Sequence, residues 1–233
     1  MTEELFREDA YLKSCDAQVV KINDLGGIIL DRTVFYPTGG GQPGDNGKIN
    51  DIEIVTTIMD RDTGEIVHVP SEGQILPDMG VNVTATIDWD KRYLHMRMHS
   101  GLHLLCAAVP CGVTGGQIGA LKSRLDFDIG DLTLDKEEIT RKINELQQGN
   151  YDLFSSWITD VEMDANSDLI RTMSVKPPRK GGRVRLMHIG KNIDLQPCGG
   201  THVKNTSEIR GLRVSKIENK GKRNRRVNII FDE

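Results

Sequence analysis

Residues 82–91, NVTATIDWDK, mark the point where the character of this sequence changes. Asn82–Ile87 is rich in β-branched residues, which favour strands. Asp88 then offers a side chain that can cap free backbone amides, and apolar residues recur at helical spacing until Pro110. The sequence therefore predicts a strand, a helix that begins at about Asp88, and a domain boundary near residue 90.

The residues before this boundary are typical of β-structure. Short runs rich in β-branched residues alternate with turns that contain Gly, Pro, Asp and Asn. Asp24–Gly27 and Asp60–Gly64 favour hairpin connections, because glycine adopts the positive φ that tight turns need. The predicted strands are Ala17–Lys21, Gly27–Leu30, Ile49–Met59, Glu65–Val69 and Asn82–Ile87. We expect a small barrel or sandwich over residues 1–90.

The residues after the boundary combine helices with strands. A second helix is predicted from Asp135 to about Gln148, where apolar residues recur at helical spacing among charged ones. The predicted strands are Val161–Met163, Val184–Ile189, Ile193–Gln196, Leu212–Glu218 and Arg226–Phe231. We expect residues 91–233 to form an α+β domain in which an antiparallel sheet packs on helices.

Composition excludes several classes of protein. The 233 residues are 37% hydrophobic and 27% charged, which is ordinary for a globular protein. No apolar run is long enough to span a membrane and no secretory signal opens the chain, so we expect a cytosolic protein. Four cysteines without framework-like spacing argue against a disulfide scaffold.

The charge is unevenly distributed along the chain. A net charge of −4 argues against nonspecific nucleic-acid coating. From Lys204 to Arg226, however, Lys and Arg greatly outnumber the two acids, Glu208 and Glu218. This segment predicts local docking of a polyanion on an overall acidic protein.

Two pairs of residues predict a metal site. His99 and His103 stand at i and i+4, a spacing that places both imidazoles on one helix face. About a hundred residues later, Cys198 and His202 flank Gly199-Gly200-Thr201, where glycine lets the backbone wrap closely around an ion. A thiolate with imidazoles is a typical zinc set. Four protein ligands would close a tetrahedral site, which favours a structural zinc, whereas a catalytic zinc keeps one position open.

These motifs resemble those of alanyl-tRNA synthetase editing domains. The resemblance rests on Met98–Leu105 (MHSGLHLL) and Cys198–Val203 (CGGTHV), with further similarity in Asp31–Asp45, Ser123–Asp128 and Lys220–Arg226. It covers nearly the whole chain. Since the sequence contains no candidate ATP site, it resembles the free-standing AlaX-type editing proteins of intermediate length.

The resemblance implies a fold, an activity and a set of site residues. It implies a barrel-like first domain, an α+β second domain and hydrolysis of the ester that joins a wrong amino acid, chiefly serine and also glycine, to tRNA(Ala), with Zn²⁺ at the four ligands. Thr33 is the candidate for recognising the serine hydroxyl, and Gln42 for orienting substrate or water. Their alternatives are an ordinary strand residue and an amide that stabilises a turn.

The sequence differs from the family pattern at two places, and its basic C-terminal segment is a further candidate site. Asp126 stands where many relatives carry arginine, and Ser100-Gly101 replaces the commoner Thr-Ala between the histidines. The basic segment near the C-terminus predicts contacts with phosphates of the tRNA acceptor end. Its candidates are Lys220, Lys222, Arg223, Arg225 and Arg226.

Other functions are alternatives to the predicted editing activity. A deacylase for another mischarged tRNA would share the metal motif, and a noncatalytic tRNA-binding module would use zinc only structurally. A metalloprotease is disfavoured, because Ser100 stands where zinc peptidases place a glutamate.

Overall fold

The computed structural model describes residues 2–166, 169–170 and 179–232. The chain divides into two compact units, Met1–Tyr93 and Leu94–Glu233. That these units coincide with the two domains expected at 1–90 and 91–233 stays a prediction. In the described part of the chain, no helix combines the length and the apolar character needed to cross a membrane.

The first unit contains a closed antiparallel barrel, in the order β2-β3-β7-β6-β5-β8. Alternate residues of β8 point into the barrel, where Val83, Ala85 and Ile87 are buried. A short parallel pair, β1 (Glu3–Glu4) with β4 (Arg32–Thr33), and a short helix α1 (Leu5–Glu8) lie outside the barrel order. The barrel strands are β2 (Ser14–Ile22), β3 (Ile28–Leu30), β5 (Gly47–Ile49), β6 (Ile52–Met59), β7 (Ile66–Pro70) and β8 (Asn82–Ile87). The expected barrel is confirmed.

The glycine-rich segment 31–45 lies against strand β6. The backbone N–H of Thr38 donates to the carbonyl of Thr57 at 2.9 Å, and the Thr57 hydroxyl donates to the carbonyl of Asp45. A Cβ at Gly44 would lie 1.9 Å from the Thr57 carbonyl oxygen. Only glycine therefore allows the segment to approach the strand this closely.

The second unit is α+β, as expected, but its strands form two antiparallel sheets. One has the order β15-β16-β10-β9, and in the other β13 pairs with β11, β12 and β14. The strands of the first sheet are β9 (Gly112–Gln117), β10 (Lys122–Asp128), β15 (Leu212–Asn219) and β16 (Asn224–Phe231). Those of the second are β11 (Leu153–Thr159), β12 (Arg179–Lys180), β13 (Arg183–Ile189) and β14 (Asp194–Pro197).

Helices α2 (Trp89–Ala108) and α3 (Lys136–Gln148) agree with the predicted helices. The Asp88 carboxylate accepts from the N–H of Lys91, and the Asp135 carboxylate accepts from the N–H of Glu138. A Cβ at Gly101 would lie 2.5 Å from Leu212 Cδ1, so glycine at this position lets α2 pack closely against β15. This close packing offsets the helix propensity that glycine loses.

The predicted strand Val161–Met163 is wrong, because these residues lie in helix α4 (Asp160–Ala165). Thr159 and Glu162 form a capping box, in which each side chain bonds the other residue's backbone N–H. This exchange satisfies amides that would otherwise be unpaired at the helix start. Two apolar residues that flank Glu162 are too short a signal to outweigh that cap. A 3₁₀ helix at Thr206–Ile209 was also not predicted.

Arg210 follows this 3₁₀ helix in a strained backbone conformation. Its φ of 60° and ψ of −172° lie in a region that is almost confined to glycine. We expect Arg210→Gly to raise the free energy of unfolding by about 1 kcal/mol, because relief of strain exceeds the added entropy of the unfolded chain. Urea denaturation measures the change. Arg210→Ala, which removes the charge and keeps the strain, should show no such gain; an equal gain in both variants would contradict the strain argument.

Candidate functional site

The four predicted metal ligands lie together in the second unit. The candidate ligand atoms of His99, His103, Cys198 and His202 all lie within 4.8 Å of one another. Helix α2 supplies the first two from successive turns, and the loop after β14 supplies the others. All three imidazoles are buried. We call these four residues the His/Cys cluster.

The spacing of the His/Cys cluster fits a tetrahedral ion. The Cys198 Sγ lies 3.4 Å from His99 Nε2 and 3.2 Å from His202 Nε2. Zinc with bonds of about 2.3 Å to sulfur and about 2.0 Å to nitrogen would separate such atoms by roughly 3.5 Å. These two distances match those around a tetrahedral ion, and the other pairs of ligand atoms lie within 4.8 Å of one another.

Neighbouring side chains orient two of the imidazoles. His103 Nδ1 donates to Asp194 Oδ2 at 2.8 Å, and Gln196 Nε2 donates to the same oxygen at 2.6 Å. His202 Nδ1 lies 3.2 Å from Ser100 Oγ, which also accepts from the N–H of Val203. A bond at Nδ1 leaves Nε2 available for an ion, the arrangement that second-sphere carboxylates and hydroxyls provide in metalloproteins.

Arg185 holds the cysteine-bearing loop in place. This buried side chain donates from Nη1 to the carbonyl oxygens of Cys198 and Gly200, at 3.1 and 3.0 Å. The N–H of Cys198 donates back to the Arg185 carbonyl. These bonds fix the thiol relative to strand β13. Sequence reasoning did not identify Arg185 or Ser100 as partners, and it left Asp194 without a role.

The electrostatics of the His/Cys cluster favour a cation. Burial raises the pKa of the Cys198 thiol, but the charges of His99 and His202 and hydrogen bonds with His103 and His202 together hold that pKa well below its ordinary value. Burial disfavours charge on His103, yet its bonds to Asp194 and Cys198 raise its pKa to about 10. A half-buried thiolate and a buried carboxylate thus belong to one site, and a divalent ion would neutralise their charge.

The other two predicted site residues lie in the first unit. Thr33 is fully buried on β4, where its Oγ1 lies 2.8 Å from His68 Nε2 and accepts from the N–H of Phe35 at 3.0 Å. Gln42 is also buried, and its backbone pairs with that of Gly39 to close the turn of the glycine-rich segment. Their roles in selecting or orienting a substrate stay predictions. His68 was not singled out from the sequence.

Carboxylates pair with several of the predicted tRNA-binding residues on the β15–β16 hairpin. Arg226 forms a bidentate pair with Asp126, which also binds Arg124. Arg223 Nε lies 3.1 Å from Asp128, and Lys220 Nζ lies 3.5 Å from Glu218. Arg225 donates to Asn219 and to the hairpin backbone. Lys222 is exposed and has no ion pair with a described residue.

Asp126, noted as a departure, therefore neutralises arginines on two strands. The bonds from Arg226 outweigh burial and lower the pKa of the Asp126 carboxyl. Any phosphate that binds Arg124 or Arg226 must compete with this carboxylate.

Fold and cluster together define a two-part protein: a β-barrel unit and an α+β unit with a His₃Cys centre. Residues 184–228 match the family described as the threonyl and alanyl tRNA synthetase second additional domain, and residues 9–91 match class II (A) tRNA synthetases.

Similar proteins cover the chain from end to end. An alanyl-tRNA editing protein AlaX-M of Methanosarcina acetivorans is 36% identical over 97% of this chain and 98% of its own length. AlaX-M of Pyrococcus horikoshii is 32% identical over 100% and 99%, respectively. An alanine–tRNA ligase of Pyrobaculum arsenaticum is 36% identical over 93% of this chain but only 25% of its own length.

The chain belongs to the family of AlaX alanyl-tRNA editing proteins. The predicted family is confirmed, and with it the predicted class of enzyme, an aminoacyl-tRNA deacylase.

Proposed function

We propose that this protein hydrolyses mischarged tRNA(Ala), chiefly Ser-tRNA(Ala) and also Gly-tRNA(Ala), at a Zn²⁺ centre in the cytosol. The single observation that carries this proposal is the His/Cys cluster, whose four ligand atoms converge within 4.8 Å in a chain similar to AlaX-M proteins over nearly its whole length. A site that selects alanine by shape cannot strongly reject serine, so a second, hydrolytic site is needed.

Zn²⁺ is the ion that best suits the donor set. A thiolate with three imidazoles is softer than the oxygen donors that Mg²⁺ and Ca²⁺ prefer. When bound, zinc supplies Lewis acidity that polarises an ester carbonyl. Asp194 and Ser100 hold the imidazoles that would bind it, and Arg185 holds the thiolate-bearing loop.

Thr33 is proposed to recognise the side chain of the aminoacyl group, and Gln42 to orient substrate or water. The Thr33 hydroxyl can form a hydrogen bond with a serine side chain, whereas alanine offers no polar partner. The seryl group therefore gains a hydrogen bond that the alanyl group cannot form, which favours the mischarged tRNA at the site. Glycine has no hydroxyl either, and we propose that it is admitted by its size alone.

The β15–β16 hairpin is proposed to bind phosphates of the tRNA acceptor end. Lys220, Lys222, Arg223, Arg225 and Arg226 are its candidate contacts. Because carboxylates already pair with three of these residues, the hairpin is not a strong generic polyanion site.

Hydrolysis of seryl-, glycyl- and alanyl-tRNA(Ala) by the zinc-loaded protein tests the proposal. We expect the seryl and glycyl esters to be lost and the alanyl ester to be spared. Loss of the ester on another mischarged tRNA alone would assign a different substrate. If tRNA binds but no ester is hydrolysed, the protein is a noncatalytic binding module and the proposal is wrong.

Lys222 offers a test of the tRNA-binding hairpin. We expect Lys222→Ala to weaken tRNA(Ala) binding severalfold and to lower the slope of log affinity against log salt by about 0.9, because one phosphate contact is lost. Filter binding at several salt concentrations measures both. Lys220→Ala is the matched control, since it removes the same charge from the same hairpin but one already paired with Glu218. If Lys222→Ala leaves the salt slope unchanged, the hairpin does not contact phosphates.

A further inference from the structure

Barrel strand β7 carries a buried titratable side chain that the proposed function has not used. His68, on strand β7, is fully buried, and its ring packs edge-on against Phe35 with centroids 5.1 Å apart. Both ring nitrogens have partners. Nδ1 lies 2.9 Å from the Ile28 carbonyl oxygen, and Nε2 lies 2.8 Å from Thr33 Oγ1.

These partners fix which nitrogen carries hydrogen. A carbonyl oxygen can only accept, so Nδ1 must donate to Ile28. Burial lowers the pKa of His68 to about 4, although the bond to Ile28 opposes this shift, and the ring is therefore neutral at pH 7. A neutral ring protonated at Nδ1 has a bare lone pair at Nε2. The Thr33 hydroxyl must then be the donor to Nε2.

This donation also decides what the Thr33 oxygen can do next. A hydroxyl has one hydrogen and two lone pairs. The hydrogen goes to His68, and one lone pair accepts from the N–H of Phe35 at 3.0 Å. What is left is a single lone pair, which can accept a hydrogen bond but cannot donate one.

We infer that His68 is a positioning residue for substrate selection: it takes the hydrogen of the Thr33 hydroxyl, so that a substrate side chain bound to Thr33 must be a hydrogen-bond donor. The serine hydroxyl meets this requirement, and glycine and alanine do not. This inference rests on the proposed function, in which Thr33 contacts the substrate. It adds that the substrate side chain is the donor in its hydrogen bond with Thr33, and that His68 fixes this direction.

Two substitutions separate the two bonds of His68. The amide of His68→Asn can replace Nδ1 and keep the bond to Ile28, but it is too short to reach Thr33. His68→Gln can place an amide oxygen near the position of Nε2 and so accept from Thr33. We expect His68→Asn to lower kcat/KM for seryl-tRNA(Ala) about tenfold, since one oriented hydrogen bond is lost, and to leave glycyl-tRNA(Ala) unchanged. His68→Gln should retain most of the seryl activity.

Equal loss on the seryl and glycyl substrates in both variants would overturn the inference, because it would show that His68 only supports the barrel. Circular dichroism and thermal unfolding of each variant identify such a general loss of structure. Thr33→Val is the reference: it should reduce seryl hydrolysis at least as much as His68→Asn. If it does not, Thr33 does not contact the substrate and the inference is wrong.

Nitrogen-15 NMR of the His68 ring in the wild-type protein provides a test independent of activity. We expect the neutral tautomer protonated at Nδ1 at pH 7. A ring protonated at Nε2 would reverse the donor and acceptor and overturn the inference, even if the protein edits seryl-tRNA(Ala). Conversely, the expected tautomer in a protein that hydrolyses no mischarged tRNA would assign the failure to the proposed function.

Discussion

Cys198→Ala is expected to abolish stoichiometric zinc binding and to reduce seryl-tRNA(Ala) hydrolysis by more than about 100-fold. Loss of a residue that merely supports a ligand typically costs 10- to 100-fold in metal affinity or activity, and loss of the thiolate itself should cost more. The variant keeps the Asp194 carboxylate beside His103 but lacks the thiolate, which is the anionic group among the four candidate ligands and favours a divalent ion.

Metal content by mass spectrometry and single-turnover deacylation measure the two effects. Cys111→Ala is the matched control, because it removes a half-buried thiol that lies outside the His/Cys cluster. It should keep both metal and activity. A Cys198→Ala protein that lacks zinc yet hydrolyses the ester at the wild-type rate would refute a catalytic metal. A variant that loses zinc and unfolds would instead identify the ion as structural.

The metal ligands could be predicted from sequence because each pair is local. The spacing of His99 and His103 places both on one face of helix α2, and Cys198 and His202 are four residues apart in one loop. The chemistry of these residues then predicts that both pairs bind the same ion, since a thiolate and imidazoles suit one kind of ion. No comparable local signal identified Ser100, Asp194 or Arg185. Each is recognisable only by a bond made in the folded chain, such as that between His103 and Asp194, which are 91 residues apart.

The lack of a local sequence signal also explains the errors in the predicted strands. The sequence predicts one strand over Ile49–Met59, but the turn at Asn50-Asp51 separates the end of β5 from β6. Asn50 adopts a positive φ of 50°, which asparagine tolerates better than most residues. Strand β9 was missed because Gly112–Gln117 contains three glycines and little apolar periodicity. Pairing with β10 makes it a strand, and that pairing is a tertiary property.

Asp45 shows how a site-like residue can turn out to support the fold. Its carboxylate lies in a glycine-rich motif, yet the structure buries it against Arg92, at the start of helix α2. Arg92 Nε lies 3.0 Å from both carboxylate oxygens, and the N–H of Tyr36 donates to Oδ2 at 2.6 Å. The Arg92 guanidinium also donates to the carbonyls of Ala10 and Val34. One buried ion pair thus joins several segments of the first unit.

Asp45→Asn is expected to lower the free energy of unfolding by about 3–5 kcal/mol, because it leaves the Arg92 charge buried without its counter-ion. Arg92→Met should have a similar cost. The double variant should cost less than the sum of the two, by about 1–3 kcal/mol, because no unpaired charge is left buried. Urea denaturation of all three variants completes the double-mutant cycle.

An exposed pair of the same unit provides the comparison. Lys21 Nζ lies 2.8 Å from Glu65, but both side chains are partly exposed to solvent. Lys21→Met should therefore change stability far less than Asp45→Asn, since water screens an exposed charge that has lost its partner. If Asp45→Asn proved as mild as Lys21→Met, water would have to reach the Arg92 guanidinium. The first unit would then be held together mainly by its apolar barrel core and by the backbone bonds of the glycine-rich segment.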